Sequence, residues 1–183
     1  MSRLPELNEG SMTAAQRAVY DEIVSGPHAR VVGPFRAWLN APELARRARA
    51  LSEHIRFRSS LPPKLMELAI LVTGRHWKAE FEFYAHAQLA RKAGLDEAII
   101  SALAGGRRPT FADDREALVY ALCAELYETH RLSDATYQRA QDTLGLQAVV
   151  ELVATLGYYC MVSLTLNAFQ VPLPPGEPSP FGD

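Results

Sequence analysis

The sequence has few cysteines, and this scarcity limits the redox chemistry open to it. Its 183 residues include two, Cys123 and Cys160, which are far apart in the chain. No Cys-x-x-Cys pair, the spacing typical of thiol redox motifs, is present. Both cysteines lie in apolar stretches that are predicted to be helical. We therefore interpret them as small hydrophobic side chains of the core.

The chain also lacks a strong excess of either charge. Its 19 basic and 21 acidic side chains give a formal net charge of −2, whereas nucleic-acid-binding domains usually carry a clear basic surplus. No apolar run reaches the roughly 18–20 uncharged residues of a membrane span, and the nearest, 149–166, contains Glu151. Residues 1–30 show no apolar signal-peptide segment. We predict a soluble cytoplasmic protein that binds neither nucleic acid nor membrane.

Motifs for metals and phosphate groups are missing as well. The five histidines show no ligand spacing with cysteines or acids beyond helical pairs. No glycine-rich loop precedes a Lys-Ser or Lys-Thr pair. We therefore expect no metal and no other cofactor.

What the sequence does contain is a series of amphipathic stretches separated by glycine, proline and capping residues. Thr13 and Gln16 form a capping box for the first predicted helix. Later N-caps are predicted at Asp96, at Asp113 or Asp114, and at Ser133. No stretch alternates apolar and polar residues for long, so we find no convincing strand. The pattern predicts an all-α bundle of about eight helices.

The chain is expected to form a single domain, 1–183, with a proline-rich tail at 171–183. Five prolines in this tail prevent a continuing helix. We expect the tail to be extended or disordered, or to form an arm that lies on a partner subunit.

Residues 61–95 combine acids, a histidine and aromatic side chains. Glu82 and His86 are four residues apart, which places them on one face of a helix. A carboxylate beside an imidazole orients the ring and raises its pKa, giving a proton donor or acceptor near neutral pH. Glu67 lies in an apolar run of the preceding predicted helix, and a buried carboxylate needs a partner. Nearby aromatic residues, among them Trp77 and Tyr84, would enclose a pocket around these groups.

Spacing alone leaves structural alternatives open for each member of this cluster. His86 could be a core histidine that bonds to a carbonyl, and the two acids could form ordinary ion pairs. The alternative partners are Lys78 for Glu82, and Lys64 or Arg75 for Glu67. His76 and Glu80 form a second Glu/His pair at the same spacing, with no predicted function.

The same stretch resembles the carboxymuconolactone decarboxylase-like family, which includes proteins of the alkylhydroperoxidase D type. The resemblance is specific over 61 to about 105 and looser from about 13 to 171. It implies an alkylhydroperoxidase D-like helical fold and a homo-oligomer, commonly a trimer or a hexamer. The residues that carry it are Glu67-Leu68-Ala69-Ile70-Leu71, Phe81-Glu82-Phe83-Tyr84-Ala85-His86 and Ala90-Arg91-Lys92-Ala93-Gly94-Leu95.

The chain departs from the peroxidase branch of this family at both cysteines. That branch has cysteines twelve and fifteen residues after the glutamate and a histidine nineteen after it. Counted from Glu67, these positions hold Ala79, Glu82 and His86. Peroxidation requires an attacking thiolate and a second, resolving thiol, so we disfavour thiol peroxidase activity.

The resemblance instead implies a cofactor-independent acid/base enzyme similar to the decarboxylase branch. In that reaction CO₂ leaves a carboxylated γ-lactone, and the resulting dienolate is stabilised and protonated on carbon. His86 would donate the proton, Glu82 would orient the His86 ring, and Glu67 would complete the polar cluster. The same groups would also serve lactone hydrolysis, isomerisation or another proton transfer.

A small-molecule substrate of this kind needs binding residues. We predict Arg75, Trp77 and Tyr84 in this role, with Arg36 and Arg58 as alternatives to Arg75 for the substrate carboxylate. Two other functions stay open. One is a peroxidase-related protein without the thiol pair, with a residual redox role for a remaining cysteine. The other is a non-catalytic oligomer that holds a small hydrophobic ligand.

Overall fold

A computed structural model of the protein describes residues 2–5, 7–8 and 10–182. This part of the chain contains nine α-helices and no strand, which confirms the predicted all-α class and exceeds the expected helix number by one. The helices are α1 Ala14–Ser25, α2 Pro34–Trp38, α3 Pro42–Phe57, α4 Pro63–His76, α5 Glu80–Lys92, α6 Glu97–Ala104, α7 Asp114–Thr129, α8 Asp134–Leu144 and α9 Leu146–Ala168.

Helix starts follow the local sequence signals. Thr13 and Gln16 form the predicted capping box, in which the Gln16 amide donates to Thr13 Oγ1 and the Thr13 amide donates to Gln16 Oε1. Side chains of Asp96, Asp113 and Ser133 cap α6, α7 and α8. These caps satisfy backbone amides that the first turn of a helix leaves without partners.

The centre of the fold is α4, which packs mainly against α5, α7 and α9. Every residue from Leu65 to Gly74 is buried, as expected of a helix that is apolar on all sides. At Gly74 an added Cβ would lie only 3.5 Å from the Phe83 amide nitrogen, so α5 crosses α4 closely here. This packing brings Glu67 of α4 inside the protein.

The chain breaks between α4 and α5 later than the sequence indicated. The sequence pattern predicts a helix from Trp77 to Lys92, but α5 begins at Glu80 because Lys78 adopts a left-handed φ of 50°. His76 and Glu80 therefore lie on different helices and do not form the expected i,i+4 pair. His76 stacks on Tyr127, with ring centroids 4.2 Å apart.

The last helix, α9, has the length and composition of a membrane span, the one such helix in the described residues. The sequence argument had excluded this because of Glu151, a single charge. In the protein, 56% of its most apolar 18-residue window is buried. That burial is what a core helix of a globular protein shows.

The proline-rich tail, as far as residue 182, packs on its own chain. Ser179 Oγ donates to Glu80 Oε1 at 2.6 Å, and the Phe181 ring lies 5.1 Å from that of Phe83. The guanidinium carbon of Arg75 lies over the Phe181 ring, 4.8 Å from the ring centroid. The tail forms neither helix nor strand in its described part, and these contacts place it against the outer side of α5.

Candidate active site

Glu67, Glu82 and His86 meet in the interior of the protein, each less than 8% exposed. His86 Nδ1 lies 2.6 Å from Glu67 Oε2 and His86 Nε2 lies 2.9 Å from Glu82 Oε1. The second contact is a close ion pair and not a well-directed hydrogen bond, since Glu82 Oε1 accepts none from the described residues. Both ring nitrogens therefore face a carboxylate.

This contact pattern decides between the alternatives that spacing left open. Glu82 is buried beside His86, so the surface pair with Lys78 is not the arrangement found. Lys64 lies 2.6 Å from Glu116 instead of bonding to Glu67. The predicted helical contact between Glu82 and His86 is present, while the catalytic role of these residues stays a prediction.

A partly buried arginine, Arg56 of α3, completes the cluster. Its Nη1 lies 3.5 Å from His86 Nε2, and its guanidinium hydrogen-bonds to Tyr159. Burial by itself would lower the pKa of Arg56, but Tyr159, Glu67 and Glu82 outweigh burial and raise it. Two carboxylates thus face two cationic side chains.

The charge state of His86 follows from these neighbours. Burial alone lowers the pKa of an imidazole. The charges of Glu82 and Glu67, together with the hydrogen bond between His86 Nδ1 and Glu67, outweigh burial and raise the pKa of His86 to about 9. At neutral pH the ring is therefore an imidazolium with a proton on each nitrogen, which makes it a proton donor.

A cavity of about 220 Å³ opens beside this cluster. Pockets that bind drug-sized ligands have volumes of roughly 300–1,000 Å³, so this cavity suits a smaller molecule. Glu82 and His86 line it, whereas Glu67 lies behind them. The other lining residues are His28, Arg30, Val32, Gly33, Pro34, Phe35, Ser52, Arg56, Phe81, Ala85, Leu89, Tyr158, Tyr159 and Val162.

Two tyrosines of α9 form one wall of the cavity. The Tyr159 ring stands edge-on to that of His86, with centroids 5.1 Å apart. Burial raises the pKa of Tyr159 well above its usual range. Burial also raises the pKa of Tyr158 to about 12, although a hydrogen bond with Ser52 acts to lower that pKa. Both phenols are therefore neutral and able to donate a hydrogen bond to a ligand.

The three predicted substrate-binding residues do not reach this cavity. Arg75 lies over Phe181 of the tail, and Tyr84 faces the groove in which residues 177–180 lie. Trp77 Nε1 donates to Cys160 Sγ at 3.1 Å. Sequence proximity to His86 was misleading because the turn at Lys78 and the opposite faces of α5 direct these side chains elsewhere.

Sequence reasoning missed Arg56, Tyr159 and the loop residue His28. Arg56 is thirty residues from His86 and shares no motif with it, and the two rival arginines, Arg36 and Arg58, do not line the cavity either. A weak signal was present, since Arg56 follows the buried Ile55 near the end of α3. That signal does not distinguish Arg56 from its neighbours.

The two cysteines lie apart from the cavity. Cys123 is fully buried, and burial raises the pKa of its thiol far above the usual range. Cys160 is partly exposed and contacts Trp77 and Tyr127. The prediction that both are core side chains therefore holds for Cys123 and only partly for Cys160.

Residues 42–125, a little under half of the chain, match the model of the carboxymuconolactone decarboxylase family. The matched segment contains Arg56, Glu67, Glu82 and His86, whereas the α1–α2 loop and α9 lie outside it. A comparison with curated proteins finds no match. No three His, Cys, Asp or Glu side chains in the described residues are placed to hold a metal ion.

Proposed function

We propose that the protein is a cofactor-independent acid/base enzyme that acts on a small carboxylated lactone or a related carbonyl compound. The reaction would be a decarboxylation or a proton transfer. The observation that carries this proposal is the charged His86 ring, held between Glu67 and Glu82 at the wall of a small cavity. The match of residues 42–125 to the family model supports the same class of chemistry.

The decarboxylation would require a place for the electrons released when CO₂ leaves. The bond between the carboxyl carbon and the ring breaks, and its electron pair passes into a dienolate that ends at the lactone carbonyl oxygen. We assign Arg56 to this oxygen, with the neutral hydroxyl of Tyr159 beside it. The substrate carboxylate would face the apolar wall at Phe35 and Phe81, because loss of CO₂ is disfavoured when a cation holds the carboxylate.

His86 would then supply the proton that the dienolate carbon needs. Nε2 is the donating nitrogen, because it faces Glu82 at the cavity wall while Nδ1 faces Glu67 behind it. Glu82 orients the ring from the cavity side, and Glu67 keeps Nδ1–H bonded throughout. The neutral ring left after transfer takes a proton from solvent, which balances the proton consumed by the reaction.

Thiol peroxidation has little support in this site. The cavity lining in the described residues includes no cysteine, and the positions of the missing thiol pair hold Ala79 and Glu82. A non-catalytic pocket for a small ligand is the remaining alternative, and it predicts tight binding without turnover.

Proton NMR in D₂O tests the proposal. The protein is incubated with a panel of carboxylated γ-lactones and β-keto acids, alongside His86→Ala and the control His76→Ala, whose ring lies outside the cavity. We expect CO₂ loss or deuterium incorporation that falls at least 100-fold in His86→Ala, the range that general acids supply. Turnover that persists unchanged in His86→Ala would refute the assignment, and binding without turnover would favour the ligand-binding alternative.

A further inference from the structure

A second pocket lies between α4, α7 and the loop that follows α6. Its volume is about 290 Å³, and it shares no lining residue with the cavity beside His86. The buried side chains of Val72 and Leu103 and the half-buried Ala124 give it an apolar lining. This pocket is large enough for a small molecule and takes no part in the proposed reaction.

Arg75 lines this pocket from α4, and its guanidinium is held by the fold and not by an acid. The guanidinium carbon lies 4.8 Å from the centroid of the Phe181 ring. A Cβ added to Gly106 would lie 2.6 Å from Arg75 Nη2, so glycine leaves the room that the guanidinium occupies. Among the described residues, the Arg75 side chain forms no ion pair and no hydrogen bond. Other half-buried arginines, such as Arg46 and Arg49, pair with glutamates.

A second arginine, Arg107, lines the same pocket, and a second glycine makes room for it. A Cβ added to Gly105 would lie 3.3 Å from Arg107 Nε, which is tighter than an ordinary van der Waals contact. Arg107 has no ion pair in the part of the chain that the structure describes. Glu128, the one acid among the described lining residues, pairs with neither arginine. Two adjacent glycines thus accommodate two guanidinium groups that have no carboxylate partner.

Two unpaired cations beside an apolar pocket favour a ligand that is both anionic and apolar. A cleft lined by charges of one sign concentrates ions of the opposite sign, and a planar guanidinium matches a carboxylate through two hydrogen bonds. Tyr120 and Tyr127 also line the pocket, and tyrosine rings pack well on other aromatic rings. Inorganic phosphate would use the arginines alone, because it has no apolar surface to bury.

From these contacts we propose that the second pocket binds a small aromatic carboxylate. Its carboxylate lies on Arg75 and Arg107, and its ring packs against Tyr120 and Tyr127. The site gives a function to the paired glycines after α6. It is distinct from the cavity beside His86, and the proposal does not depend on the reaction performed there.

Fluorine NMR of 4-fluorobenzoate tests the site on the full chain. We expect the wild type to shift and broaden the ¹⁹F signal. Arg75→Ala and Arg107→Ala should each raise the dissociation constant at least about 10-fold, the typical contribution of a charge-assisted hydrogen bond. The control Arg108→Ala removes an exposed arginine that does not line the pocket, and it should change binding less than about twofold. The uncharged 4-fluorobenzyl alcohol should bind at least about 10-fold more weakly than 4-fluorobenzoate.

A pair of glycine variants tests the placement of Arg75 without removing its charge. Gly106→Ala displaces the Arg75 guanidinium and should weaken 4-fluorobenzoate binding at least about threefold, because two-point hydrogen bonding to the carboxylate is lost. Gly94→Ala is the matched control. Gly94 has a φ of 85° against 67° at Gly106, but an added Cβ there meets no atom within 4 Å. Both variants therefore strain the backbone and only one moves Arg75, while circular dichroism checks that each is folded.

Three results overturn the proposal. The first is an unchanged ¹⁹F signal at about 10 mM 4-fluorobenzoate, a concentration at which weak ligands still bind. The second is binding that persists in both Arg75→Ala and Arg107→Ala, which would place the ligand elsewhere, for example in the cavity beside His86. The third is displacement of 4-fluorobenzoate by an equal concentration of inorganic phosphate, which would show that the site recognises charge alone.

Discussion

Four charged side chains share one largely buried volume, and each is stabilised by those of opposite charge. Glu67 and Glu82 are compensated by His86 and Arg56, so removal of one cation leaves carboxylates with too little positive charge around them. Breaking a buried ion pair in this way typically costs about 3–5 kcal/mol. The cluster therefore contributes to stability and to the proposed chemistry together.

Arg56→Gln should expose this dependence. We expect the free energy of unfolding to fall by about 3 kcal/mol, because the partly buried site lies near the lower end of that range. In Arg56→Lys the free energy of unfolding should fall less, because lysine keeps the positive charge but lacks the planar guanidinium that reaches Tyr159. Urea denaturation measures both.

The matched control for Arg56 is Arg58→Gln, an exposed arginine two residues along. A surface substitution of this kind should change stability by less than about 0.5 kcal/mol. Equal effects at the two positions would contradict the compensation of charge that we describe.

The sequence predicted only the part of the site that lies within a short stretch. Glu82 and His86 meet because they are one helical turn apart, and Glu67 was indicated by its apolar surroundings. Arg56 could not be predicted, because it reaches His86 through the packing of α3 against α9, which no local pattern encodes. The error over Arg75 has the same origin, since closeness in the chain was taken for closeness in space.

Among the structural elements, the loop before α2 shapes the mouth of the cavity. Gly33 has a φ of 56°, and an added Cβ would lie 3.0 Å from Cε1 of Phe81, a lining residue. With a ψ of −129°, Gly33 lies outside the left-handed helical region, in a sparsely populated conformation that costs a residue with a Cβ about 1–3 kcal/mol. Two local constraints therefore require glycine here.

We expect Gly33→Ala to lower the free energy of unfolding by about 1–3 kcal/mol and to weaken binding of any ligand that the cavity accepts. Thermal denaturation and ligand titration measure the two effects. Gly157→Ala is the control, since Gly157 has no positive φ and no atom within 4 Å of an added Cβ. A fully stable Gly33→Ala with unchanged binding would show that the loop adjusts freely.

The first turns of α9 hold the loop between α3 and α4 through Glu151. Its Oε2 accepts from the Ser60 amide, the Ser60 hydroxyl and the Ser59 hydroxyl at 2.7–2.9 Å. Burial would raise the pKa of Glu151, but these bonds and one from Gln147 lower it to about 2. A depressed folded pKa means that this stabilisation is complete above the unfolded value and is lost as the pH falls.

The wild type should therefore lose stability between about pH 4.5 and pH 2, and Glu151→Gln should lose less over the same range while being less stable at pH 7. Melting temperatures measured across this range test the expectation, with Glu128→Gln on the surface of α7 as the control. Parallel acid profiles for the wild type and Glu151→Gln would assign the acid sensitivity to other carboxylates.

At the scale of the whole molecule, the helical pattern and the caps predicted the fold class and most helix boundaries. Local signals suffice for this because capping and amphipathic spacing act within a few residues. The left-handed turn at Lys78 and the docking of the tail at Phe181 depend on contacts that form only after the helices pack. The cavity walls likewise combine residues of the α1–α2 loop, α3, α5 and α9, so the sequence could indicate a reaction class but not the residues around the substrate.

The central claim is that two carboxylates hold His86 as a buried imidazolium, and direct titration of its ring tests that claim. NMR of ¹³C- and ¹⁵N-labelled imidazole, assigned with His86→Ala, follows protonation from pH 5 to 10. We expect a pKa of about 9 for His86 in the wild type and a lower pKa in Glu67→Gln. Because the folded pKa is raised, the stability that it contributes is complete below about pH 6.5 and is lost as the pH rises through 9. A His86 ring that titrates at or below about 6.5 would contradict the account.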